Sequence, residues 1–70
     1  MRSDLLKKIA KERGYTLKRL SNEAGIKKTA LYRKLTGITE FTRIEIERIA
    51  KVLNLTNEEI FNIFFAKVVA

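Results

Sequence analysis

Thr16-Leu17-Lys18-Arg19-Leu20-Ser21-Asn22-Glu23-Ala24-Gly25-Ile26-Lys27-Lys28-Thr29-Ala30-Leu31-Tyr32-Arg33-Lys34-Leu35 reads as two short helices around one tight turn. Thr16 is a good N-cap for a helix over Leu17 to Ala24, because its hydroxyl oxygen can accept a bond from a first-turn N–H. Gly25 ends that helix where a left-handed backbone favours glycine. Ile26 and Lys27 fill the turn, and a third helix of the chain runs from about Lys28 to Leu35. Leu20, Ala24, Ile26 and Leu31 can fill the small wedge between the two helices, with Ala24 small where they approach. This is the spacing of a helix-turn-helix. The αα-hairpin of any small helical protein has the same glycine and the same wedge.

The flanking residues extend the helical reading in both directions. Ser3 is a candidate N-cap for a first helix of about Asp4 to Arg13, with Leu5, Leu6, Ile9 and Ala10 on one stripe. Gly14 follows its last periodic residue, and Tyr15 can staple onto Leu20. Downstream, Gly37 closes the third helix and Ile38 to Phe41 form a loop. Phe41-Thr42-x-x-Glu45-Ile46 and Leu55-Thr56-x-x-Glu59-Ile60 then repeat one start signal. Each has an apolar residue before a Thr cap, a Glu at the third helical position and an apolar residue after it. They predict a fourth helix to about Leu53, with Ile46, Ile49, Ala50 and Leu53 inward, and a fifth from Asn57 to about Val68. The expectation is one all-α domain over residues 1–70, built from five short helices.

Composition narrows the function. In 70 residues there are 15 Lys and Arg against 8 Asp and Glu, a formal charge of +7, and no Cys, His, Trp or Pro. Disulfides, thiolate or imidazole metal sites and histidine relays are thereby excluded. The Asp, Glu, Ser, Thr and Lys residues form no recognisable catalytic constellation, so neither an enzyme nor a cofactor is expected. Charge at Arg2, Asp4, Lys7 and Lys8 interrupts any secretory signal. No apolar run approaches the ~20 residues that span a bilayer. A cytoplasmic protein with no membrane partner is the expectation. So short a chain also leaves no room for a separate ligand domain, and no small-molecule ligand is expected.

The charge is unevenly placed. Residues 1–36 hold eleven basic groups and three acids, a balance of +8, whereas residues 37–70 balance to −1. The apolar excess lies at the opposite end. This split points to two surfaces, one for a polyanion and one for an apolar partner. A solvated basic face kept for solubility has the same arithmetic. The third helix separates these readings. At ~100° per residue, with Lys28 at zero, Tyr32 falls at about 40°, Thr29 at about 100° and Arg33 at about 140°. Leu31 and Leu35 take the other side, and no acid lies between Glu23 and Glu40. Lys and Arg can pair with guanine O6 and N7, and Thr with a base or a thymine methyl. Tyr32 can pack on sugar and bond a phosphate. Lys34, at about 240°, is the misfit; its stem can pack while its ammonium reaches outward.

From about Leu5 to Phe61 the chain resembles the Cro and lambda-repressor-like (XRE-type) helix-turn-helix family in its small bacterial and phage form. The resemblance rests on K-K-I-A-K-E-R-G-Y-T-L-K-R-L-S, on A-G-I-K-K-T-A-L-Y-R-K-L-T-G and on I-A-K-V-L-N-L-T-N-E-E-I-F. It implies a five-helix fold with helices two and three, about residues 16–36, as the DNA-binding unit. It also implies that Lys28, Thr29, Tyr32 and Arg33 face bases in the major groove of double-stranded DNA. Thr16, Lys27, Thr36 and Arg43 would then hold phosphates, with Lys18 and Lys34 supporting them. Three departures bear on the phosphate contacts and the helix packing. Leu17 replaces a frequent Gln that contacts the backbone, Ser21 replaces a usual Ala, and Glu40 sits in the loop expected to face phosphate.

In the fifth helix, Ile60, Phe61, Phe64 and Val68 suffice for one buried stripe. Ile63, Phe65 and Val69 are then left over as a self-complementary dimer patch. The function these features favour is a sequence-specific DNA-binding regulator, a repressor in its simplest form, acting as a homodimer on a symmetric operator. The alternatives are a protein-interaction module of antitoxin or anti-repressor type, gripping a partner through the fifth helix, and a non-specific nucleic-acid binder. A basic membrane-surface helix fits least, because no single helix joins a strong basic face to the apolar excess.

Overall fold

The structure, a computed structural model, describes residues 1–65. Its helices are α1 (Ser3–Glu12), α2 (Leu17–Ala24), α3 (Lys28–Leu35), α4 (Arg43–Leu53) and α5 (Asn57–Ile60), the last continuing as a π-helical turn over Phe61–Phe65. Among the described residues there is no strand, and the fold is all-α as expected.

Caps account for most of the boundaries. The Thr16 Oγ accepts from the Arg19 N–H at 3.1 Å at the start of α2. Thr42 and Thr56 both form complete capping boxes. Each hydroxyl accepts from the Glu N–H three residues on, and each Glu carboxylate accepts from the Thr N–H in return. At their C-termini, α1 to α4 share one pairing, in which two successive N–H groups reach back to close the last turn. For α2 these are Gly25 N–H to Asn22 O at 3.3 Å and Ile26 N–H to Ser21 O at 2.9 Å. Gly25 makes this possible at φ +68°. A Cβ there would meet only the Arg48 guanidinium at 3.5 Å, so the backbone angle rather than crowding calls for glycine. Asn54 takes the same left-handed conformation after α4, at φ 55°.

Leu6, Ile9 and Ala10 of α1, Leu20 and Ala24 of α2, Ile26, Leu31 and Leu35 of α3 and its turn, and Ile49 and Leu53 of α4 form one buried core with Ile63. Ser21, the departure in the helix contact, is buried and donates to the Lys18 carbonyl at 2.7 Å. That bond one turn back satisfies the hydroxyl within its own helix. Arg13 ties three elements together. Its guanidinium donates to the carbonyls of Leu53 (2.8 Å) and Asn54 (3.2 Å) and pairs with Glu59 at 2.6 Å. The end of α1 thus caps α4 and anchors the start of α5.

Three expectations need correction. Ser3 lies inside α1, and Arg2 precedes the helix without a side-chain cap bond. The Arg2 N–H donates to the Ile63 carbonyl at 2.7 Å and its carbonyl accepts from Leu6, so the helix starts one residue early. Ile63, expected at a surface patch, is fully buried, whereas Phe61, expected in the core stripe, is 58% exposed. A period of 3.6 allows two stripes that share Ile60 and Phe64, one with Phe61 and one with Ile63, and the packing of this turn takes the second. Ile60 and Phe64 remain partly buried, and the Phe64 ring meets Phe41 edge-on at 5.4 Å. Val68 and Val69 lie outside the described residues.

Candidate nucleic-acid interface

The surface of interest begins with the inner side of α3. Leu31 and Leu35 are buried in the core, and α2 is the helix packed most closely on α3. This fixes which way α3 faces. Lys28, Thr29, Tyr32 and Arg33 are all exposed, and together they form the open arc that the periodicity predicts. The Lys28 ammonium lies 5.8 Å from the centroid of the Tyr32 ring. That contact orders two long side chains while leaving their polar tips in water.

Ion pairs tie some of the cations into the fold. Arg2, Arg13, Arg19, Lys34 and Arg43 are engaged with Asp4, Glu59, Glu23, Glu45 and Glu47 respectively. Among the described residues, Lys7, Lys8, Lys11, Lys18, Lys27, Lys28, Arg33, Arg48 and Lys51 have no carboxylate within pairing distance. Of these, Lys27, Lys28 and Arg33 belong to α3 or to the residue before it, and Lys18 is in the first turn of α2. An unneutralised cation held at a helix surface by a buried leucine face is well suited to a polyanion.

The helix starts add donors. Lys27 precedes α3 in an extended conformation and offers no side-chain cap, so the first-turn N–H groups of α3 have no side-chain acceptor. In α2, Thr16 satisfies the Arg19 N–H but leaves those of Leu17 and Lys18 directed along the axis. Both ends therefore present the positive pole of a helix beside free lysines.

Two expected phosphate ligands have partners within the fold. The Thr36 hydroxyl donates to the carbonyls of Tyr32 (3.0 Å) and Arg33 (3.1 Å), and its N–H donates to Tyr32 as well. Both donors of Thr36 are thus used in closing α3. The Lys34 ammonium does not reach outward. It pairs with Glu45 at 3.0 Å, donates to the Glu40 carbonyl at 3.1 Å, and its side chain is only 12% exposed. Its position on the inner side of the wheel signalled this, and Glu45 at the next helix start was the partner in sequence. Arg43 is different: Glu47 holds its Nε at 3.3 Å, but the side chain is 92% exposed and its terminal nitrogens stay available.

With the arc, the free cations and the two helix starts in place, the comparison with known sequences is specific. The profile of the Cro/C1-type HTH DNA-binding domain matches residues 5–65. The chain belongs to this family. No curated protein and no solved structure shows a significant match. Membership makes the helix-turn-helix of α2 and α3 a DNA-binding unit and the chain a DNA-binding regulator in outline. No helix among the described residues is long and apolar enough to cross a membrane.

An apolar groove of about 580 Å³ lies on another side of the molecule, lined by Phe41, Ile46, Ala50, Ile60 and Phe65, with Arg43 and Glu47 at its rim. Phe65 is 56% exposed there.

Proposed function

We propose that the chain is a sequence-specific transcriptional repressor that binds a symmetric operator as a homodimer, with α3 in the major groove. The observation carrying this reading is the coincidence on α3 of an acid-free exposed arc with cations left unneutralised. In it, Lys28 and Arg33 read guanine edges, Thr29 reads a base edge or a thymine methyl, and Tyr32 packs on the sugar wall. Lys18, Lys27, Thr16 and Arg43 supply phosphate contacts that set the register. Repression needs no chemistry: occupancy of a promoter excludes polymerase.

The dimer forms through the groove beside α5. Phe65, which lines it, is the apolar group that water contacts most there. Selection from a random duplex pool at two salt concentrations tests the whole reading. Enrichment of a palindrome with half-sites ~10 bp apart is the expected result. Salt-sensitive retention with no enriched motif would leave a non-specific binder.

A further inference from the structure

The contacts of Lys34 point to a role beyond holding a helix together. The close neighbour of α3 is α2, and α4 is not among its principal packing partners. A hollow of about 400 Å³ lies under the α3–α4 loop, bordered by Lys34, Gly37, Glu40, Phe41, Ile46 and Phe64. Leu35 seats this end of the helix in the core, and polar contacts beside the hollow add to that seat.

Lys34 is placed to make them. Its ammonium spans from α3 to the start of α4, 3.0 Å from Glu45 Oε1, and bonds the Glu40 carbonyl in the loop between. It also lies 5.9 Å from the Phe41 ring centroid. The same Glu45 oxygen accepts from the Thr42 N–H at 2.8 Å, so one carboxylate oxygen joins the cap of α4 to the recognition helix. From the other side, the Ile38 N–H donates to the Arg33 carbonyl at 2.9 Å and Gly37 to Lys34 at 3.3 Å, which folds the loop back onto α3.

We infer that Lys34 is a positioning residue for base recognition. Acting through Glu45 and the Glu40 carbonyl, it sets the angle at which α3 presents Tyr32 and Arg33 to the groove, and it touches no phosphate. The inference rests on the DNA-binding reading above, and it separates two measurable quantities. A phosphate contact contributes to affinity on every sequence and to salt dependence. A positioning residue contributes to discrimination between sequences.

The experiment is a double-mutant cycle with Lys34→Met, which keeps the stem, and Glu45→Gln, which keeps an acceptor for the Thr42 N–H. Affinity is measured by fluorescence anisotropy over a salt series, on the duplex enriched by the wild-type chain and on a scrambled duplex of equal composition. Circular dichroism of each variant confirms that it is folded at the assay temperature. Each single variant is expected to lose about tenfold in the ratio of selected to scrambled affinity, and the double variant no more than either single. Lys34→Arg, which retains the charge, is expected to restore most of the ratio. The slope of log affinity against log salt stays that of the wild type. A slope shallower by about 0.9, with discrimination intact, would make Lys34 a phosphate ligand and overturn the assignment. Unchanged discrimination in both single variants would overturn it as well, leaving the pair structural only. If the wild-type chain bound neither duplex, the DNA reading itself would fall, and this assignment with it.

Discussion

Ile63 and Phe61 exchange the places expected of them from the sequence, and the exchange is open to direct measurement. Ile63 is in the core with Leu6 and Ile49, and its carbonyl receives the Arg2 N–H. Ile63→Ala is therefore expected to lower stability by about 2–5 kcal/mol in urea denaturation, the range for a buried large-to-small change. Phe61→Ala, at an exposed position, should stay within about 0.5 kcal/mol. The reverse order would undo the core described above. The site residues divide in the same way between what a pattern shows and what only geometry shows. The open arc of Lys28, Thr29, Tyr32 and Arg33 follows from two buried leucines and the helical period, and it was legible in sequence. The engagement of Lys34 was signalled only by its inner position on the wheel, and that of Thr36 with the carbonyls of its own helix was not read. A lysine that saturates Glu45 and one that awaits a phosphate are the same letter.

At the scale of elements, the caps carried most of the information. Thr16, Gly25, Gly37 and the two Thr-x-x-Glu boxes place α2, α3, α4 and the start of α5 as read, since each satisfies backbone groups that a helix end leaves open. The start of α1 was misplaced because a distant carbonyl, that of Ile63, engages Arg2. The π-turn leaves no comparable mark in the residues. The boxes also have a consequence in acid. Burial pushes the Glu45 carboxyl up, but the Thr42 N–H and Lys34 outweigh it, and the group titrates below its ordinary 4.5. The Thr56 N–H, followed by Arg13, holds Glu59 down likewise, and Arg2 does so for Asp4. A carboxyl depressed on folding stabilises the native state above its unfolded value and loses that contribution as the pH falls through the folded one. Thermal midpoints should therefore fall on acidification below pH 4.5, the ordinary glutamate value. Combining Glu45→Gln with Glu59→Gln should flatten that limb of the curve. An equally steep limb in the double variant would place the acid sensitivity elsewhere.

For the whole molecule, the division of charge and apolar surface becomes a division of labour. The basic excess of residues 1–36 resolves into paired cations that hold the fold and free ones on α1, at the start of α2 and along α3. Among the described residues the apolar excess divides between the core, a groove with Phe65 on its wall, and the exposed Ile38, Ile44 and Phe61. Phe65→Asp should make the chain monomeric in sedimentation while its helical dichroism is unchanged. It should also weaken binding to a full palindrome far more than to a half-site, because linked half-sites bind with a high effective concentration. An unchanged mass would move the dimer contact off this groove. The central claim concerns α3, and it is met most directly by repeating the duplex selection with Lys28→Ala and with Arg33→Ala. Each variant should lose its preference at one base position, repeated in both half-sites, at about 1–3 kcal/mol for the favoured base, with the other positions retained. A loss equal across all sequences, with the selected motif otherwise unaltered, would contradict base reading by this helix.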